Sequence, residues 1–215
     1  MKKKIVIVDD HPIVREGFSK LINSESDLEV AGTAEDATEA LALMEKERPD
    51  VAMIDLSLKE SSGIELIKDL QASCPEVRIL VVSLHDEEMY AERALRAGAK
   101  GFIMKAEAVD DIITAVKKVS CGEIYLSSRM QSKLLEQITS GKPRESISPV
   151  DILSDREMEV FQLIGTGVKT KTIASQLNLS VKTIETYKSH LKQKLQLKNG
   201  TELLQRAVEW TLKQT

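Results

Sequence analysis

Four short apolar runs in the first half of the chain end in residues able to do chemistry together. Asp9 and Asp10 follow Ile5–Val8, Asp55 follows Val51–Ile54, Ser83 follows Ile79–Val82, and Lys105 follows Gly101–Met104. Clustered carboxylates repel one another unless a cation sits among them. Hard oxygen donors suit Mg²⁺, which commonly takes one or two carboxylates and keeps positions for water and phosphate. With a metal ion and Lys105 balancing an incoming phosphoryl group, Asp55 has the chemistry of a nucleophile that becomes an aspartyl phosphate. The Ser83 hydroxyl can donate a hydrogen bond to the new oxygens. Singly, each residue has a local explanation: Asp10 as the cap of a helix opening near Pro12, Asp55 as the start of a turn toward Gly63, Ser83 as a cap near Asp86, Lys105 as a surface charge. Their joint occurrence at four strand ends is what points to a site.

The elements that must position these residues alternate regularly. Apolar runs at Ile5–Val8, Leu28–Ala31, Val51–Ile54, Val77–Val82 and Gly101–Met104 are read as parallel strands, several of them apolar throughout, as burial on both faces requires. Amphipathic stretches between them predict helices at Pro12–Asn23, 35–47, 64–74, 86–97 and Val109–Ser120. Val14, Phe18, Leu21 and Ile22 are expected to bury the first helix, and Met89, Ala94 and Leu95 the fourth. The βα rhythm predicts an α/β fold with a right-handed, doubly wound parallel sheet. Ligands of such sheets bind outside the carboxyl ends of the strands, where the polar residues fall.

Order and spacing of Asp9-Asp10, Asp55, Ser83 and Lys105 within Gly98-Ala99-Lys100-Gly101-Phe102-Ile103-Met104-Lys105 resemble a response regulator receiver domain. The resemblance covers about residues 3–120 and implies a flavodoxin-like five-stranded sheet in the order 2-1-3-4-5. It implies Asp55 as phosphoacceptor and a phosphohistidine on a sensor histidine kinase as donor. It further implies that Asp10, Asp55 and the Ser57 carbonyl hold Mg²⁺ with help from Asp9, and that Ser83 and Phe102 are switch positions. Two residues depart from the common pattern: Ala106 stands where many receivers have proline, and Leu84 where many have a small residue. A haloacid dehalogenase-like phosphatase also uses an Asp nucleophile with Mg²⁺, but carries a second acid two residues on, where this chain has Ser57. No general acid is then available, and the protein is not expected to be an enzyme.

From Leu153 onward the pattern is helical throughout. Ser154 and Glu157 form a capping box ahead of Met158, Phe161 and Leu163. A short helix at 170–177, a three-residue turn at 178–180 and a longer helix at 181–195 follow, with Asn199-Gly200 read as its end and a last helix at 201–212. At about 100° per residue, Val181, Ile184, Tyr187, Leu191 and Leu195 share one face of the longer helix. Lys182, Glu185, Thr186, Ser189 and Gln193 share the other, flanked by Thr183, His190, Lys192 and Lys194. A short helix and tight turn before such a helix predict a helix-turn-helix whose polar face enters the major groove. Residues 150–213 resemble a LuxR/FixJ-type (NarL-like) DNA-binding domain, which implies four helices, the third for recognition and the last often pairing two copies. Lys182, Glu185, Thr186 and Ser189 are expected near base edges, Glu185 facing a cytosine amino group. Thr183 flanks that set, and Lys188, Lys192 and Lys194 are expected along the backbone.

Charge follows the same division. Residues 1–149 hold 20 Lys/Arg against 27 Asp/Glu, whereas residues 150–215 hold 10 against 7; a basic segment joined to an acidic one suits a nucleic-acid partner. The expected organisation is a receiver at 1–122, a connecting helix and linker at 123–149, and a helix-turn-helix domain at 150–215. The Gly-, Pro- and Ser-containing stretch 140–149 is the linker. Cys74 and Cys121 make no disulfide framework, and no apolar run suggests a signal peptide or a membrane span. A cytoplasmic regulator of transcription that pairs on double-stranded DNA as a homodimer is the expectation.

Overall fold

The protein is described by a computed structural model covering residues 2–58, 62–107, 109–139, 152–177 and 179–214. The linker expected at 140–149 lies outside the described residues. The chain divides into two compact units, Met1–Ser140 and Gly141–Thr215.

In the first unit, β1 (Lys3–Val8), β2 (Leu28–Ala34), β3 (Val51–Ile54), β4 (Arg78–Ser83) and β5 (Gly101–Met104) form one parallel sheet in the order β2-β1-β3-β4-β5. The central strands are apolar throughout because helices cover both faces: Ile5, Val8, Val51, Ile54, Ile79 and Val81 are all buried. In-register pairs Val8 with Ile54 and Ile54 with Val81 bring the strand ends level. The helices are α1 (Pro12–Asn23), α2 (Ala37–Glu47), α3 (Gly63–Ser73), α4 (Glu87–Ala97), α5 (Val109–Ser120) and α6 (Ser128–Thr139).

Two helix faces differ from expectation. Of the four residues expected to bury α1, only Ile22 is fully buried. Val14, Phe18 and Leu21 line an apolar groove with residues of α5, because the two helices do not close over it. In α4 the buried stripe is Tyr90, Ala91 and Ala94, not Met89 and Leu95. Two alanines let this helix lie close to the sheet, and the Tyr90 ring stacks on His85 with centroids 4.6 Å apart.

Chain return after α5 adds to the sheet edge. Tyr125 makes a bridge beside β5, donating to the Lys100 carbonyl at 3.0 Å and accepting from the Phe102 amide at 2.9 Å. It leads into α6, where Met130 is buried, as is Leu126 just ahead of the helix.

The second unit is all helical: α7 (Asp155–Gly165), α8 (Thr170–Gln176), α9 (Val181–Lys194) and α10 (Gly200–Gln214). Ser154 and Glu157 make the expected capping box. Phe161 of α7 meets Trp210 of α10 with ring centroids 5.9 Å apart. Asn199-Gly200, expected to end the recognition helix, instead opens α10: Asn199 Oδ1 accepts from the Glu202 amide at 3.0 Å. α9 has already ended at Lys194, and Gln196 takes the left-handed turn with φ of 56°.

Two glycines make opposite predictions. A Cβ on Gly63 would stand 2.4 Å from the Asp55 carbonyl oxygen and 2.6 Å from the Leu56 Cα, both backbone atoms. Gly63→Ala is expected to cost about 1–3 kcal/mol by forced backbone movement. Gly17, inside α1, has nothing within 4 Å of such a Cβ, so Gly17→Ala is expected to stabilise by about 0.5–1 kcal/mol. Urea unfolding followed by circular dichroism measures both, and a stable Gly63→Ala protein would refute the close approach.

Candidate functional site

The strand ends converge as expected. Backbone hydrogen bonds carry the sheet ladder into the tip residues: the Asp9 amide donates to the Ala34 carbonyl at 3.1 Å, Asp55 to Val8 at 2.9 Å and Lys105 to Ser83 at 2.8 Å. Asp9, Asp10, Asp55 and Ser83 are all buried. The Lys105 ammonium lies between two carboxylates, 2.5 Å from Asp9 Oδ2 and 2.8 Å from Asp55 Oδ2. Carboxylate oxygens of Asp9, Asp10 and Asp55 and a ring nitrogen of His11 lie within 4.8 Å of one another.

The local explanations for these residues do not describe what they do. His11, not Asp10, occupies the N-cap of α1. Asp86 caps α4 with its own carboxylate, which accepts from the Glu88 amide at 2.8 Å; Ser83 Oγ accepts from the His85 amide at 3.2 Å. The Lys105 side chain is only 7% exposed. Ser57 Oγ is 2.8 Å from His85 Nε2, which ties the β3 tip to the β4 tip. Phe102 of β5 is fully buried.

Electrostatics leave the pocket short of positive charge. Burial raises the Asp55 carboxyl above the usual carboxylate range, and the neighbouring Lys105 only partly opposes it. Burial also pulls Lys105 down, but the Asp55 and Asp9 carboxylates outweigh it and hold the ammonium above its ordinary value. Asp10 Oδ1 and Asp55 Oδ1 are buried without a hydrogen-bond partner, although Asp10 Oδ1 lies 2.6 Å from His11 Nδ1. An unpaired Asp55 oxygen in a cluster with the carboxylates of Asp9 and Asp10 fits a hard cation.

Three contributors were not singled out from sequence. His11 adds a ring nitrogen; Arg15 Nη1 donates to the Asp9 carbonyl at 2.5 Å; His85 braces Ser57. His11 was legible as the neighbour of Asp9-Asp10, whereas His85 shows its role only when two loops meet. Beside the pocket opens the apolar groove of about 520 Å³, lined by Val14, Phe18, Leu21, Leu84, Val109 and Ile112 and sharing His11 and Lys105 with it. Leu84 is 71% exposed at this groove.

In the second unit, Ser180 caps α9, its Oγ accepting from the Thr183 amide at 3.0 Å. Ile184 and Leu191 are buried, Leu195 nearly so and Tyr187 half-buried. Val181, expected on the same face, is 44% exposed because it stands in the first turn, beyond the packed helices. Lys182, Glu185, Thr186, Ser189 and Gln193 are exposed, and Thr183 and Lys192 half-buried beside them. Lys188 donates to Glu185 Oε1 at 2.8 Å and to Thr170 Oγ1 of α8 at 3.3 Å. Lys194, expected along a DNA backbone, is paired with Glu157 of α7 at 2.6 Å, which fastens the end of α9 to the bundle. Among the described residues no helix is long and apolar enough to cross a membrane.

Comparison with known proteins agrees with both halves. Residues 5–117 match the response regulator receiver domain, and residues 151–207 match the bacterial regulatory proteins of the luxR family. The chain belongs to the two-component response regulators with a receiver and a LuxR-type DNA-binding domain. It is 39% identical over 210 residues to the oxygen regulatory protein NreC of Staphylococcus haemolyticus, across 96% of this chain and 97% of that protein. RcsB from Salmonella enterica serovar Typhimurium, bound to promoter rprA in the presence of the phosphomimetic BeF3⁻, superposes with a TM-score of 0.59 at 29% identity, covering 95% of this chain and 98% of that one. RcsB dimers bound to two parallel DNAs give 0.58 at 31% identity, over 95% and 97% of the two chains.

Two measurements test these electrostatics. Asp55 is raised, so without divalent cation its ionised form opposes folding at neutral pH. Removing that charge by Asp55→Asn is expected to stabilise the full chain by about 1–3 kcal/mol in chelator, seen as a higher urea midpoint. Glu157 is lowered: burial pushes it up, but Lys194 and the Ser154 amide outweigh burial. A lowered acid contributes stability above its unfolded value, near 4.5, and that contribution is lost as pH falls through the folded value. Glu157→Gln is therefore expected to cost roughly 1–2 kcal/mol at pH 7 and to flatten the acid limb, as read from Trp210 fluorescence.

Proposed function

We propose that Asp55 accepts a phosphoryl group from the phosphohistidine of a sensor histidine kinase, and that this controls sequence-specific DNA binding by the second unit. The observation that carries the proposal is the buried Asp55 carboxylate, with one oxygen on Lys105 and the other without a partner. In the transfer a carboxylate oxygen of Asp55 forms the new O–P bond, the P–N bond to the donor imidazole breaks, and the imidazole keeps that electron pair. Asp9, Asp10, Asp55 and the Ser57 carbonyl would hold Mg²⁺, which supplies the positive charge that the pocket lacks. Lys105 binds the phosphoryl oxygens, and Ser83 Oγ turns from the His85 amide to donate to them. Ser83 and the buried Phe102 are then the switch positions. The transferred phosphoryl group stays on Asp55 as the signal, so the protein acts as a regulator and not as a turnover enzyme.

On DNA, Lys182, Glu185, Thr186 and Ser189 of α9 approach base edges, flanked by Thr183, while Lys192 and the ammonium of Lys188 lie along phosphates. Lys194 acts by holding α9 against Glu157. Two copies on a two-fold site would set their recognition helices about one DNA turn apart, as a homodimer resembling the RcsB dimers on DNA. Moving such a switch from mostly off to mostly on takes about 5 kcal/mol of preference, within reach of a charged acyl phosphate in a buried pocket.

Acetyl phosphate should add the mass of one phosphoryl group to the wild-type chain and none to Asp55→Asn. Beryllofluoride should tighten operator binding in the first and not in the second; equal tightening in both would refute the assignment. Lys192→Ala should weaken binding to all sequences and reduce the salt slope by about one, whereas Glu185→Ala should change preference at one base pair. Uniform loss in both variants would overturn the groove assignment.

A further inference from the structure

α6 is the last described element before the segment joining the two units, and it is held by the first turn of α4. Glu87 Oε1 accepts from the Ser127 backbone amide at 2.8 Å, immediately ahead of α6. Glu88 pairs with Arg129 at 2.6 Å and with Lys133 at 3.0 Å, two cations four residues apart and so on one face of α6. Beneath them Leu126 and Met130 are buried, Met130 to 1% exposure. The carboxylates thus stand at the N-terminal end of α6, where its unpaired amides and the helix dipole favour negative charge. Ser127 Oγ meanwhile accepts from the Met130 amide at 3.1 Å, so α6 is capped by its own serine and by a carboxylate from another helix. Arg129 is 82% exposed, and exposed ion pairs are individually weak. The grip comes from their combination with the Glu87 cap and the buried Met130.

The same turn of α4 is joined to the acidic pocket through four residues. Ser83 Oγ accepts from the His85 amide, His85 Nε2 meets Ser57 Oγ, Asp86 caps α4, and Glu87 and Glu88 follow. The geometry points to Glu87 and Glu88 as an intramolecular clasp that holds α6 against the receiver until Asp55 is phosphorylated. Drawing Ser83 Oγ toward a phosphoryl group on Asp55 removes its bond to the His85 amide, which braces the turn that carries the two glutamates. The first turn of α4 then shifts, Glu87 leaves the Ser127 amide, and the N-terminal turn of α6 opens. The inference rests on Asp55 as phosphoacceptor and adds where the signal leaves the receiver.

Hydrogen exchange of the full chain, read on peptides covering 83–88 and 124–136, tests it with Mg²⁺ and with or without beryllofluoride. In the wild type, beryllofluoride should change exchange at 83–88 and speed it at 127–133 by roughly five- to thirtyfold. In a Glu87→Gln, Glu88→Gln double variant, exchange at 127–133 should already be fast, and beryllofluoride should add little there while still changing 83–88. A change at 83–88 with 127–133 unaltered would overturn the clasp and leave Asp55 as phosphoacceptor standing. Slow exchange at 127–133 in the double variant would likewise overturn it. No response at 83–88 or in the Asp55 peptide would remove the phosphoacceptor and the clasp together.

Discussion

The placement of one ammonium between two buried carboxylates organises the first unit. Lys105 reaches Asp9 and Asp55 because β5 ends level with β4, and β3 with β1. Three acids buried at one spot would be prohibitively repulsive without nearby positive charge. A single lysine does not balance them, as the raised Asp55 carboxyl and its unpaired oxygen show. A pocket held at a deficit of positive charge is responsive for that reason. Adding a cation and then a phosphoryl group changes its electrostatic energy far more than a balanced site would allow.

Most of this pocket was legible before any coordinates. A parallel strand buried on both faces is apolar throughout, so a polar residue directly after it marks the strand end, and topology brings strand ends together. Asp9, Asp10, Asp55, Ser83 and Lys105 follow from that rule. The contacts of His85 do not, because its partner Ser57 lies on another loop and nothing in local spacing pairs them. Face assignments on α1 and α4 held only in part, for a related reason. Helical period identifies an apolar stripe, but Val14, Phe18 and Leu21 on α1 are covered only as far as α5 approaches, and that approach is a tertiary quantity.

The second unit shows the same limit with charges. Periodicity placed Lys192 and Lys194 beside the exposed face of α9. It carried no information that Glu157, whose place in a capping box was clear, has a second use as the partner of Lys194. One carboxylate therefore closes the N-terminus of α7 and anchors the end of α9. Of the basic side chains on that helix, Lys194 is taken up by Glu157 and Lys188 shares its ammonium with Glu185.

That sharing bears on how α9 can discriminate. An isolated carboxylate facing DNA would be repelled by every phosphate, whatever the sequence. With Lys188 beside it, Glu185 is held below the usual carboxylate range, first by its hydrogen bond from that ammonium. It thus stays ionised as an acceptor while the pair's net charge is near zero. Long-range repulsion from the duplex is offset, and the short-range preference for a donor such as the cytosine amino group is kept. In the proposed complex, attraction to the backbone falls chiefly to Lys192, and choice among sequences rests in part on a carboxylate already paired within its own helix.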